Sequence, residues 1–222
     1  MEIEIGKKVL EANDSAAQEN RRLFAKHSVF VVNLMSSPGS GKTTILEKTL
    51  ARIAPEISSA VIVGDICTSN DADRLDKTGV PVVQINTEAF GGDCHLAAEL
   101  VGNSAKRFDL ERTELLIVEN VGNLVCPAEF DIGEDTRVVV LSVAEGEDKP
   151  LKYPLMFRVC EAALLNKVDL LPYLDYDRDS AVENMKKINS NLAIFEISAR
   201  TEAGFDAWRK WLKANVQQKK RP

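Results

Sequence analysis

Seven short apolar runs restrict most narrowly how this chain can fold: residues 29–35, 60–63, 82–85, 115–118, 138–143, 162–165 and 192–197. Each is short for a helix and too continuously apolar for a strand with one wet face. Each therefore reads as a strand covered on both sides, as in a parallel sheet. Between them, 42–53, 71–78, 94–108, 180–188 and 202–215 carry helical spacing. Strands and helices in alternation predict an α/β fold of three layers, helices on both faces of a mostly parallel central sheet. In the last helix Phe205, Trp208, Trp211 and Leu212 share one face and are expected in the core.

A charged, Ala-rich stretch, 6–26, sets Val9, Leu10, Ala17, Leu23 and Phe24 at weakly amphipathic helical spacing. It is expected to pack across an edge of the domain. The length of 222 residues suits one domain, with 1–28 as its helical extension and 29–222 as its body. A net charge of −6 argues against nucleic acid as a partner, since phosphate binding needs clustered cations. The cluster Lys219-Lys220-Arg221 reads as a solvated tail. No apolar run approaches the ~20 residues of a membrane span. The acidic Met1-Glu2-Ile3-Glu4-Ile5 lacks the order of a signal peptide, so a cytoplasmic location without membrane contact is expected. In that setting Cys67, Cys94, Cys126 and Cys160 are thiols or metal ligands rather than a disulfide framework.

Directly after the first apolar run comes Ser36-Ser37-Pro38-Gly39-Ser40-Gly41-Lys42-Thr43-Thr44, then a helix. This is the P-loop pattern with Ser36 in place of its first glycine. Gly39 and Gly41 let the backbone of the loop, from Pro38 to Thr44, wrap an anion, with the N–H groups at the helix start turned toward phosphate. Lys42 would reach the β- and γ-phosphates, and the Thr43 hydroxyl would ligate Mg²⁺. The second run ends in Gly64-Asp65, whose acid faces the ligand crevice as a direct or outer Mg²⁺ ligand, or as the group that orients water. The fourth ends in Glu119-Asn120-Val121-Gly122: Glu119 can hold the magnesium hydration shell, and the Gly122 N–H can sense a γ-phosphate. Asn123 stands where many GTPases place a water-orienting Gln, which predicts slow hydrolysis.

The sixth run leads into Asn166-Lys167-Val168-Asp169. Asp169 can accept from guanine N1–H and the N2 amino group, a donor pair that adenine lacks. Asn166 would buttress the P-loop and the Lys167 stem would cover the base. Ser198, Ala199 and Arg200 end the seventh run, and their backbone N–H groups suit guanine O6. Arriving in this order at successive strand ends, the elements imply GTP and GDP as ligands.

Cys94-His95 follows Phe90-Gly91-Gly92-Asp93 at an expected helix start, and Cys126 lies four residues after Gly122. Thiolate and imidazole suit Ni²⁺ or Zn²⁺. Three ligands leave a tetrahedral site open, so water or a second subunit would complete it. His27 reads as structural or surface and Cys160 as core, whereas Cys67 near Asp65 stays open.

The P-loop, Gly64-Asp65 with Thr68 and Asp71-Ala72-Asp73, residues 91–96, 119–131, 145–154 and Asn166-Lys167-Val168-Asp169 together resemble the HypB family. These are GTPases that assist nickel insertion into [NiFe]-hydrogenase. Residues 90–96 with Cys126-Pro127-Ala128 carry the most specific part of the resemblance. The related urease-maturation GTPases have a Cys-Pro-His where this chain has Cys126-Pro127-Ala128, which favours the hydrogenase branch. The resemblance implies a P-loop NTPase of the SIMIBI type, with Cys94, His95 and Cys126 as nickel or zinc ligands at a homodimer interface that forms with GTP. It implies Lys152 as a lysine near nucleotide across that dimer, and as partners a nickel metallochaperone and the hydrogenase large-subunit precursor. An N-terminal Cys-rich or His-rich nickel motif, present in some members, is not seen in this sequence. Two other readings stay open: a GTPase chaperone for urease nickel or a cobalamin enzyme, and a metal-binding scaffold with vestigial hydrolysis. A nucleotide kinase fits less well, because no acceptor lid is evident.

Overall fold

Runs without a wet face have to stack side by side, and all seven expected runs pair in one sheet. The structure, a computed structural model, describes residues 2–65, 70–87 and 94–220. The strands are β1 (Phe30–Ser36), β2 (Ser59–Asp65), β3 (Val82–Asn86), β4 (Leu115–Gly122), β5 (Thr136–Ser142), β6 (Ala162–Asn166) and β7 (Ala193–Glu196). Their order is β3-β2-β4-β1-β5-β6-β7, and every pairing is parallel. β1 lies centrally between β4 and β5. The loops leaving the C-terminal ends of β1 and β4 therefore face one another across the crevice where such sheets bind ligands.

Helices α1 (Glu2–Lys26), α2 (Lys42–Ile53), α3 (Asn70–Asp76), α4 (Ala98–Ala105), α5 (Cys126–Glu129), α6 (Lys149–Lys152), α7 (Pro154–Arg158), α8 (Arg178–Ile188) and α9 (Phe205–Lys219) cover both faces. On one face, Ile45, Leu46 and Leu50 of α2 and Phe205, Trp208 and Leu212 of α9 pack over Val32, Leu34, Ile117 and Val140. On the other, Phe24 of α1 and Val101 of α4 cover Val31, Ile62 and Leu116, and α7 and α8 cover Val139 and Leu141. The chain thus has the three-layer architecture of P-loop NTPases. The aromatic stripe of α9 is core, with Trp211 partly buried beside it.

Four details differ from expectation. First, α1 lies in a face layer beside α4 instead of across an edge, with Phe24 under the central strands. Asn20 fixes it there, donating to the carbonyls of Ala98 and Ile132 at 2.7 and 2.9 Å. Second, Cys94 and His95 do not begin a helix; they lie in a bend before α4. The Leu96 and Ala98 N–H groups bond the side chains of Asn120 and Asn13, which holds this stretch out of helical geometry. Third, α9 starts at Phe205, not 202, after the left-handed residue Gly204. Fourth, Lys219 and Lys220 do not form a solvated tail: Lys219 is in α9 and pairs with Asp135 at 2.5 Å, and Lys220 with Glu114. Arg221 lies outside the described residues. No helix among the described residues is long and apolar enough to cross a membrane.

The α2–α9 contact depends on one polar bond inside an apolar layer. Trp208 Nε1 donates to Thr49 Oγ1 at 3.1 Å, with both residues buried. Thr49→Val keeps the shape but strands the indole N–H. It should lower unfolding free energy by about 1–3 kcal/mol, read as a lower urea midpoint at unchanged slope.

Candidate functional site

The loop between β1 and α2 is shaped by its two left-handed glycines. Gly39 has φ 75° and Gly41 φ 100°. A Cβ on Gly41 would lie 2.6 Å from Asn166 Nδ2, so strain and crowding both demand glycine there. Asn166 sits at the end of β6 and donates to the Ser40 carbonyl at 2.8 Å, while Lys167 Nζ donates to the Gly39 carbonyl at 2.8 Å. The loop is thus held from the β6 end.

A cavity of about 350 Å³ opens above this loop, lined by residues 38–44 together with Asp65, Glu119 and Gly122. The structure brings these expected phosphate-site and magnesium-site residues into one place. Lys42 is buried, its ammonium donating to Ser36 Oγ at 2.7 Å. Burial lowers its pKa, opposed by Glu119, Asp71, Glu145 and Asp65. The Thr43 hydroxyl donates to Glu119 Oε1 at 2.8 Å. Burial pushes Glu119 up to about 7, against the pull of Lys42 and Thr43. Its second oxygen, Oε2, is buried without a hydrogen-bond partner among the described residues. An unsatisfied carboxylate oxygen beside a threonine hydroxyl, with further acids around, fits a hydrated Mg²⁺.

A second cavity, about 430 Å³, adjoins the first and is lined by Gly41, Thr44, Asn166, Lys167, Asp169 and Arg200, among others. Ser198 Oγ donates to Asp169 Oδ1 at 2.6 Å and so fixes the carboxylate. Two of the backbone N–H groups expected to serve guanine O6 are bonded within the chain. The Ser198 N–H bonds the Ala203 carbonyl, and the Ala199 N–H bonds Asn166 Oδ1 at 3.0 Å. Lys152 lines neither cavity; it is exposed and paired with Asp148 at 2.5 Å.

At the far end of the β4 segment, Cys94 Sγ lies 2.7 Å from Cys126 Sγ, and Asn123 Nδ2 donates to Cys126 at 3.4 Å. Burial and the neighbouring Cys126 thiol raise the Cys94 pKa. His95 is held apart, its ring stacked on Phe130 at 3.7 Å. Among the described residues no group of three or more His, Cys, Asp or Glu side chains is placed to hold a metal ion. Two adjacent thiols nevertheless fit a thiophilic ion once they separate. Zinc–sulfur bonds of about 2.3 Å in tetrahedral geometry set two sulfurs roughly 3.7 Å apart. Cys160 is buried in the core. Cys67, Thr68 and residues 90–93 lie outside the described residues.

Sequence reasoning missed Arg74, which lines the phosphate cavity and donates to Glu47 and to Thr44 Oγ1 at 2.9 Å. Its spacing of three from Asp71, with which it pairs at 3.5 Å, was the available signal. Phe130 and Asn33 were missed too. An amide in the middle of an apolar run, as Asn33 is, marks a buried polar contact.

Comparison with known proteins agrees with this geometry. The model of the CobW/HypB/UreG nucleotide-binding domain matches residues 30–196. The chain is 50% identical over 212 residues to hydrogenase maturation factor HypB of Escherichia coli strain K12, covering 96% of this chain and 71% of that one. It is 37% identical over 218 residues to the probable HypB of Methanocaldococcus jannaschii, covering 98% and 97%. The crystal structure of HypB from Helicobacter pylori in complex with nickel superposes with a TM-score of 0.87 at 37% identity, over 95% of this chain and 98% of that one. With that fold, that site geometry and this similarity along almost its whole length, the chain belongs to the HypB hydrogenase maturation factors of the CobW/HypB/UreG family.

Proposed function

We propose that this chain is a GTP-dependent metal-delivery switch in [NiFe]-hydrogenase maturation. One observation carries the reading: a single segment runs from Glu119, which holds Thr43 in the phosphate cavity, to Cys126, which touches Cys94. GTP binds with its phosphates on residues 38–44 and its base against Asp169. Lys42 neutralises the phosphate charge, and Thr43, Glu119 and Asp65 would hold Mg²⁺, which would supply charge stabilisation of the phosphoryl oxygens. The Gly122 N–H and Glu119 then take positions that depend on the γ-phosphate. Because Cys126 is seven residues further on, such a shift moves its sulfur relative to Cys94 and alters metal affinity. Hydrolysis is slow, since Asn123 uses its side chain on Val125 N–H and Cys126 instead of on a water.

The metal is cargo. Two thiols leave a four-coordinate site incomplete, so His95 freed from Phe130, or a second copy of the chain, completes it. A GTP-bound homodimer with Lys152 near the partner's nucleotide fits that requirement. Nickel is favoured over zinc because the Helicobacter pylori relative is a nickel complex. A partner metallochaperone supplies the ion, and the hydrogenase large-subunit precursor receives it.

Three measurements test this. Nickel and zinc titrations with GDP and with a non-hydrolysable GTP analogue should give nucleotide-dependent affinity in the wild type. Cys94→Ala/Cys126→Ala should lose metal binding in both states. Equal affinity in every nucleotide state would defeat the switch and leave a GTPase. Asp169→Ala removes two charge-assisted hydrogen bonds to guanine and should cost at least about 3 kcal/mol, more than about a hundredfold in GDP affinity. The same change should leave the weak binding of ATP as it was.

Glu119 sets a pH dependence. Its folded pKa of about 7 lies above the ordinary 4.5, so the empty protein holds an extra proton relative to the unfolded chain between those values. The stability contributed by that proton is lost as pH rises through this window. Glu119 would have to give up the same proton to serve Mg²⁺, so magnesium-dependent GDP affinity should strengthen from pH 6 to 8, by at most about tenfold per pH unit. In Glu119→Gln this dependence should disappear, as read by fluorescent-nucleotide titration across pH.

A further inference from the structure

Two amides face each other inside the sheet, where apolar side chains would be the ordinary choice. Asn33 of β1 and Asn120 of β4 are both buried, and Asn120 Nδ2 donates to Asn33 Oδ1 at 3.1 Å. Asn33 Nδ2 continues to Glu134 Oε1 at 3.3 Å. The Asn120 oxygen looks the other way. It accepts from the Leu96 N–H at 3.1 Å and from its neighbour Val121 at 2.9 Å. One side chain therefore ties the end of β4 to the stretch that carries Cys94 and His95.

Consecutive strand residues face opposite sides of a sheet. Glu119 points to the α2 side and takes the Thr43 hydroxyl, while the Asn120 side chain takes Leu96 on the α4 side, and Asn120 also lines the phosphate cavity. A displacement of β4 at Glu119 is thus transmitted through one peptide to the opposite face. Leu96 is fully buried and also touches β2: a Cβ on Gly64 would lie 2.8 Å from its side chain. It contacts the ends of both strands that deliver acids, Asp65 and Glu119, to the phosphate cavity. Two residues later the chain is anchored to α1. The Ala98 N–H bonds Asn13 Oδ1 at 2.9 Å, and its carbonyl accepts from Asn20 Nδ2 at 2.7 Å. The stretch from Cys94 to Ala98 has one end fixed by α1 and a point within it, Leu96, set by β2 and β4.

We propose that Asn120 is the positioning residue that carries nucleotide state across the sheet to the Cys94–Cys126 pair, with Leu96 as its receiver. This rests on the switch reading above. Nothing in it requires Asn120 to touch nucleotide or metal. Its effect is a coupling free energy, measurable as the ratio of Ni²⁺ dissociation constants with GDP and with a non-hydrolysable GTP analogue.

The test is Ni²⁺ titration of the full chain in both nucleotide states for wild type, Asn120→Ala and Asn33→Ala. A wild-type ratio in the range of about 5- to 150-fold is typical of such coupling. In Asn120→Ala it should fall close to one with nickel still bound. Asn33→Ala removes an equally buried amide but leaves the acceptor for Leu96, and should retain most of the ratio. A wild-type ratio retained in Asn120→Ala overturns this assignment alone, whereas a wild-type ratio of one overturns the switch and this with it. Should Asn120→Ala not fold, hydrogen exchange of the Leu96 amide in the wild type decides. Protection that differs between the two nucleotides supports the role, and equal protection in both overturns it.

Discussion

A strand buried on both faces can put polar chemistry only at its ends or in fully satisfied pairs. That constraint, imposed on β1 and β4 at the centre of the sheet, organises most of the molecule. At the C-terminal ends it produces the phosphate cavity, where residues 38–44 turn away from β1 and Glu119 emerges from β4. In the strand interiors it allows the Asn33–Asn120 pair, which is tolerated because its donors and acceptors find partners. The two results are neighbours in sequence, so the ligand crevice and the buried amides are mechanically continuous. α1 then closes the α4 side, its Asn13 and Asn20 clasping both the stretch before α4 and the turn at Asp131 and Ile132.

The cavity is also electrostatically incomplete. Lys42 is the buried cation among Asp65, Asp71, Glu119 and Glu145. Burying an ammonium beside a carboxylate brings little net stability, because desolvation offsets the attraction. The opposed shifts of Lys42 and Glu119 express that balance: burial disfavours both charged forms. In the function proposed above, a phosphate with its divalent cation would add charge of both signs at the points where each is short. Binding energy would then arise from completing the site more than from reshaping it.

Most of the sheet was legible because its evidence is local. Every apolar run became a strand within a few residues of its expected ends, and the P-loop sat where β1 hands over to α2. Asn166, Asp169 and Ser198 meet around one cavity because each ends or follows a strand, a placement readable from sequence order. What escaped depends on distant partners. The start of α4 moved because Asn13 and Asn120, far away in sequence, capture N–H groups that helical spacing would have assigned to a ladder. The Ala199 N–H was promised to a base, yet Asn166 holds it. His95 adjoins Cys94 in sequence, and its ring stacks on Phe130, a contact that the sequence does not signal. In each case a side chain from elsewhere outbids a local pattern, and no local pattern carries a trace of it.

The thiol pair shows why the distant contacts matter. Sulfurs 2.7 Å apart are too close to flank an ion; a tetrahedral thiolate pair needs roughly 3.7 Å. About 1 Å of separation can come from rotation of either cysteine about its Cα–Cβ bond or from movement of the turns that carry them. Cys126 begins α5, where Pro127 restricts the turn and Asn123 holds the sulfur from behind. Cys94 precedes a stretch pinned at Leu96 and Ala98. The pin at Ala98 belongs to α1, which has no contact with the phosphate cavity among its lining residues, and the pin at Leu96 belongs to β4, which does. In the proposed switch the second is the pin that responds to what the cavity holds. Under the switch proposed above, a gap that opens by about 1 Å, beside a hydrogen bond from the strand that carries Glu119, lets small motion at the phosphates reach the sulfurs.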